Sequence, residues 1–118
     1  MADLSDRITD AELVVMQAFW QATEPLTVAQ VVQKLCQSTG WKPSTVKTLV
    51  RRLMTKGALG ADHAQAHHYR PLVSRRDYGL GATTRLLETV YQGDAQEMTR
   101  AVKKAAAAAA LRARGKSR

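Results

Sequence analysis

Three observations predict a mainly α chain with a small β-wing, a winged helix-turn-helix followed by C-terminal helices. Thr9-Asp10-Ala11-Glu12 and Thr27-Val28-Ala29-Gln30 both have the S/T-x-x-E/Q form of a capping box. In such a box the threonine accepts from the third N–H of a helix, and the Glu or Gln side chain accepts from the threonine's own N–H. Val46, Leu49, Val50 and Leu53 follow i, i+3, i+4, i+7, which puts them on one buried stripe of a third helix. After Gly57, the stretches 58–62 and 66–72 lie either side of a turn at His63-Ala64-Gln65 and read as a hairpin, although alanine and glycine give the first strand weak propensity.

The first helix is expected from about Asp10, with Ala11, Val15, Met16, Phe19 and Trp20 as its apolar face, and Thr23-Glu24-Pro25 ends it. Leu26 is a short extended residue. The second helix runs from Thr27 to about Gln37 and closes at Ser38-Thr39-Gly40, Gly40 suiting a left-handed C-cap. The third begins near Pro43, whose missing N–H costs nothing in a first turn, and stops at Gly57. Beyond the hairpin, Ser74-Arg75-Arg76-Asp77 caps a long helix to about Tyr91, and Gln92-Gly93-Asp94 breaks it. Asp94-Ala95-Gln96-Glu97 caps a last helix holding the run Ala105 to Ala110, after which Leu111 to Arg118 is expected to fray. The implied organisation is a winged-helix domain over residues 1–73, a helical region over 74–111 and a basic flexible tail over 112–118.

The chain has 118 residues, enough for one domain with a helical extension, and a net charge of +8 that favours a polyanionic partner. Residues 1–93 carry eleven Lys/Arg against eight Asp/Glu, and residues 94–118 carry seven against two, so the excess lies in the third helix and the tail. No apolar run approaches a membrane span, and Asp3 and Asp6 precede any hydrophobic stretch, unlike the basic start of a secretory signal. A cytoplasmic location without membrane insertion is expected. Cys36 lies on the apolar stripe of the second helix with Val28, Val31, Val32 and Leu35, and is expected to be a buried, inert thiol. Paired carboxylates, a nucleophile motif and a glycine-rich phosphate loop are all absent, so neither an enzyme nor a cofactor is expected. His63, His67 and His68 invite a metal reading, but neighbours on a strand point to opposite faces, so His67 and His68 do not easily share one ion.

The third helix has the chemistry a DNA major groove requires. Outside its apolar stripe it carries cations and short hydroxyls, with no carboxylate between Trp41 and Gly57. Lys47, Thr48 and Arg51 are expected to face base edges, and Ser44 and Thr45 to hold a phosphate at the helix N-terminus. Lys42, Arg52, Lys56 and Arg70 are expected on the phosphate backbone, with an internal ion pair the alternative for Arg52. On the last two helices Tyr78, Leu86, Leu87, Val90, Tyr91, Met98 and Val102 are expected to expose enough apolar surface for a homodimer interface, the alternative being that these helices fold back on their own domain. Two-fold symmetry would then match a pseudo-palindromic operator. The rival reading is a winged helix that docks an acidic protein partner and has no sequence preference on DNA.

In order along the chain, Ile8-Thr9-Asp10-Ala11-Glu12, Val15-Met16 and Phe19-Trp20 are followed by Trp41-Lys42-Pro43-Ser44-Thr45-Val46-Lys47-Thr48-Leu49, Arg52-Leu53, Lys56-Gly57, Tyr69-Arg70-Pro71-Leu72-Val73 and Val90-Tyr91-Gln92-Gly93. This pattern resembles the penicillinase-repressor family, BlaI, MecI and CopY, from about Ile8 to Lys103. The resemblance implies a dimeric transcriptional repressor acting on an operator in double-stranded DNA and regulating beta-lactam resistance or another stress response. Some members carry a serine cap where Lys42 stands, so a cap worth about 1 kcal/mol is exchanged for a cation near phosphate. Members that answer a membrane-bound sensor protease are cut at an Asn-Phe bond; Ala101-Val102 stands there, which leaves that protease and another release route both open. The Cys-x-Cys motifs of the copper-responsive branch are absent, which excludes a thiolate copper site of that kind. An alanine run and basic tail replace the usual acidic last helix, implying a weaker dimer with the tail touching DNA.

Overall fold

The computed structural model describes residues 8–116; residues 1–7, with Asp3 and Asp6, and Ser117 and Arg118 of the tail lie outside it. Both capping boxes close. Thr9 N–H donates to Glu12 Oε1 at 2.9 Å and Glu12 N–H to Thr9 Oγ1 at 3.2 Å, opening α1 (Asp10–Gln21). Thr27 and Gln30 exchange the same bonds at 2.8 and 3.1 Å and open α2 (Val28–Thr39). Gly40, at φ +77°, ends α2 by donating to Cys36 O. Helix α3 (Pro43–Thr55) ends in a Schellman motif: Gly57 at φ +82° donates to Met54 O, and Ala58 N–H reaches back to Leu53 O at 2.9 Å.

The extended residue at Leu26 belongs to a strand that the sequence did not suggest. β1 (Leu26–Thr27), β2 (Leu59–Ala61) and β3 (His68–Pro71) form an antiparallel sheet in the order β1-β3-β2. Leu26 pairs with Tyr69 and Thr27 with His68, while Leu59, Gly60 and Ala61 pair with Pro71, Arg70 and Tyr69. Pro71 lies past the end of β1, where no ladder bond is asked of its nitrogen. Gly60 accounts for the weak propensity of β2, because a Cβ there would sit 2.9 Å from Leu72 Cδ1. The turn is wider than expected. His67, at φ +62°, precedes β3 instead of lying on it, so His67 and His68 are separated by a turn and not by strand alternation.

Helices α1, α2 and α3 pack on one another around Val15, Met16, Phe19, Val31, Leu35, Val46, Leu49, Val50 and Leu53, and Ala58 and Leu59 bring the wing onto the same core. Every residue of the predicted α3 stripe is buried. On α2 only Val31 and Leu35 are; Val28, Val32 and Cys36 are half-buried, so the thiol is less enclosed than expected. Trp20 Nε1 donates to Val73 O at 2.9 Å and its ring lies 5.9 Å from that of Tyr78. That contact leaves Tyr78, expected at a dimer interface, half-buried against Trp20 of α1.

The chain divides into two units, Met1–Gly81 and Ala82–Arg118, and α4 (Arg75–Thr89) crosses the boundary. Helix α5 (Ala95–Lys116) begins at Asp94, whose Oδ1 accepts from Glu97 N–H at 3.0 Å. It continues through the segment expected to fray, because each added alanine extends an existing helix at almost no side-chain entropy cost. Met98 is buried within this unit, where it lines an apolar hollow with Thr83, Leu87, Ala95, Thr99 and Val102. It is therefore not part of a free surface, as its assignment to a dimer interface assumed.

Candidate nucleic-acid interface

Because the core takes one side of α3, the sequence leaves Ser44, Thr45, Lys47, Thr48, Arg51 and Arg52 on the other, and all six are exposed. They divide into two flanks. Lys47 and Arg51 border a shallow depression with Val28, Val50 and Met54, whereas Thr48 and Arg52 border another with Ser44, Thr45 and Leu49. Thr48, expected beside Lys47 and Arg51, therefore lies with Arg52. Its hydroxyl donates to Ser44 O at 2.9 Å, and that of Thr55 donates to Arg51 O at 3.1 Å. Both hydroxyl protons are engaged by the helix itself, leaving oxygen lone pairs and methyl groups for a ligand.

Met54 is the residue of this side that the sequence pattern does not single out. Met54 is 38% exposed and is the one apolar α3 residue outside the buried stripe, seven positions after Lys47. That spacing was the available signal. Val28, counted with the core stripe of α2, also reaches this flank.

The cations at the ends of the site differ. Lys42 occupies the N-cap of α3 with no side-chain cap bond and stays exposed, and its carbonyl accepts from Thr45 and Val46 instead. Arg70 is exposed on β3, with Nε 4.0 Å from Asp62 Oδ1. Asp62 also accepts from Ala64 and Gln65 N–H at 3.1 and 2.8 Å, so one carboxylate folds the wing turn and steadies its arginine.

Lys56, expected on the phosphate backbone, is engaged within the domain. Its Nζ lies 2.6 Å from Glu12 Oε1, and the Glu12 side chain is only 1% exposed. Burial by itself would raise the Glu12 carboxyl, but the Lys56 hydrogen bond, the Thr9 N–H and the Lys56 charge together hold it below its ordinary value. The expected phosphate contact is thus an internal ion pair joining the start of α1 to the end of α3. By sequence alone that role falls to Arg52 instead. Histidine adds little to the site: His68 Nδ1 is 2.8 Å from Ala66 O, and among the described residues no three His, Cys, Asp or Glu side chains gather as a metal site.

The sequence profile of the penicillinase repressor family matches residues 8–112, from the first capping box through most of α5. The chain belongs to that family. It is 30% identical over 93 residues to a penicillinase repressor of Bacillus licheniformis, a match covering 78% of this chain and 72% of the relative. It is 37% identical over 82 residues to a transcriptional regulator BlaI of Mycobacterium tuberculosis strain H37Rv, covering 69% of this chain and 59% of that regulator. The solution structure of the DNA-binding domain of the repressor BlaI superposes with a TM-score of 0.53 at 33% identity, over 61% of this chain and 88% of that domain. Penicillinase repressors are transcriptional repressors, not enzymes. No helix among the described residues is long and apolar enough to cross a membrane.

Proposed function

We propose that this chain is a sequence-specific DNA-binding transcriptional repressor that acts as a homodimer on a pseudo-palindromic operator. The observation carrying this reading is the exposed side of α3, on which Lys47, Arg51 and Arg52 stand among hydroxyls and no carboxylate intervenes. Lys47 and Arg51, with Met54 between them and the core, are suited to base edges, since arginine and lysine donate to guanine O6 and N7 while an apolar group meets a thymine methyl. Thr48 and Arg52 form the second flank, Ser44 and Thr45 lie near the first-turn N–H groups, and Lys42 and Arg70 extend the cationic surface to phosphates. Leu86, Val90 and Val102 are 43%, 62% and 55% exposed, and with half-buried Leu87 and Tyr91 they supply the surface for a second copy.

The test is titration of the chain on DNA from upstream of its own gene and on a random duplex at physiological salt. Preference for the upstream DNA is expected, and equal affinity would overturn the proposal. Arg51→Ala is expected to cost about 1–3 kcal/mol and to relax selectivity at one base position. The regulated genes follow from the operator so defined. Ala101 is half-buried and Val102 exposed on α5, so whether a membrane-bound sensor protease cuts there is answered by incubating the chain with such a protease and mapping the products.

A further inference from the structure

We infer that α5 is a second DNA-contacting element, one that grips the phosphate backbone without reading sequence. The inference takes from the preceding section only that duplex DNA is the partner. From Met98 to the end of the chain there are seven Lys/Arg and no Asp/Glu. Helical placement turns this composition into a surface. At about 100° per residue, Arg100, Lys103 and Lys104 fall within one sector, and Ala107 and Leu111 continue it along the axis. Met98, Val102, Ala105 and Ala109 take the opposite side, where Met98 is buried. The three cations are exposed, and exposed Arg114 returns to the same sector further along, while Arg112 lies about 120° away from Arg100 around the helix.

Two properties select DNA from among polyanions. Twenty-two residues at about 1.5 Å each give a rigid rod of about 33 Å, on which Arg100 to Arg114 spans about 21 Å. A duplex presents a phosphate charge every 1.7 Å or so along its axis, so a straight cationic row of this length meets several at once. An anionic bilayer asks for something else, a broad apolar face with aromatic or leucine side chains to sink below the headgroups. The side of α5 opposite the cations is largely alanine, and the helix has no aromatic residue. The alanine run keeps the rod helical while leaving the lysines and arginines unobstructed by larger neighbours.

The experiment uses the full chain carrying Arg100→Gln, Lys103→Gln and Lys104→Gln together. Glutamine forms helix about as well as lysine or arginine, and circular dichroism verifies that α5 persists. Affinity for a random-sequence duplex is measured across salt concentrations. The slope of log K against log[salt] is expected to fall by two to three units per chain, since each neutralised phosphate contributes about 0.9. The ratio of operator to random affinity is expected to stay as in the parent. A slope unchanged within half a unit overturns the inference, as does loss of binding to phosphatidylserine vesicles with no change on DNA. Failure of the repressor reading is separately visible: a chain with no operator preference whose random-duplex slope still falls retains the α5 contact and loses only the sequence-reading role of α3.

Discussion

Thirteen apolar side chains are buried between Ile8 and Gly81, whereas among the described residues from Ala82 onward only Met98 is. The difference is not one of helix content, since α4 and α5 are longer than any helix of the first unit. It lies in what the helices are given to bury. In the first unit, α1, α2 and α3 each turn a stripe of branched and aromatic residues onto the others, and the wing closes the gap with Ala58 and Leu59. In the second, the apolar residues Leu86, Val90, Val102 and Leu111 remain 43–66% exposed. The first unit therefore holds its own shape by packing, and the second leaves most of its larger apolar side chains in solvent.

The sharpest way to break this contrast is to delete packing in each unit. Leu53→Ala, at a site with 0% exposure, is expected to lower unfolding free energy by about 3 kcal/mol, seen as a shifted urea midpoint. Lys56→Ala comes next. It strands the Glu12 carboxylate, and because Lys56 is 23% exposed the expected loss is about 2–3 kcal/mol, toward or below the low end for buried pairs. Joint replacement by Lys56→Met and Glu12→Leu should recover most of it. If Lys56→Ala instead left stability untouched and weakened DNA binding alone, the lysine would return to the phosphate backbone.

The same pair sets a pH dependence. Since the folded state holds Glu12 below its ordinary value, its contribution is complete above the unfolded value of about 4.3 and is lost as pH falls through the lowered one. Stability measured down an acid series should fall there, and Glu12→Gln should flatten that limb. Gly57→Ala is expected to cost about 1 kcal/mol, from the left-handed backbone alone, because no atom lies within 4 Å of the added Cβ. The smallest effect falls in the second unit. Leu86→Ala should change unfolding by less than about 0.5 kcal/mol at concentrations where the chain is monomeric, yet move sedimentation toward the monomer at higher ones. A large stability loss with no change in association would assign Leu86 to an internal core.

Local chemistry made the first unit legible. Capping boxes, the α3 stripe and the glycine after α3 are signals spanning four to eight residues, and they place helix starts and ends within a turn. What escaped depends on residues distant in sequence. β1 has two residues, too few to show alternation, and is a strand only because His68 and Tyr69 come back to it. Glu12 reads as a cap, which it is, but its partner stands 44 positions away. Tyr78 looks like one more apolar helix residue until Trp20 meets it. The exposed side of α3 is visible in the sequence as a set of cations and hydroxyls, while its division into two flanks follows from which residues border Val28 and which border Leu49.

Thr27 is at once the last residue of β1, opposite His68, and the N-cap of α2. The wing and the helix-turn-helix are therefore joined without a hinge. A force on β3 is carried through one residue into the first turn of α2, whose Val28 borders the same depression as Lys47 and Arg51. In mechanical terms the wing is a lever on the side of α3 that carries Lys47 and Arg51, so whatever displaces Arg70 on β3 also displaces that side.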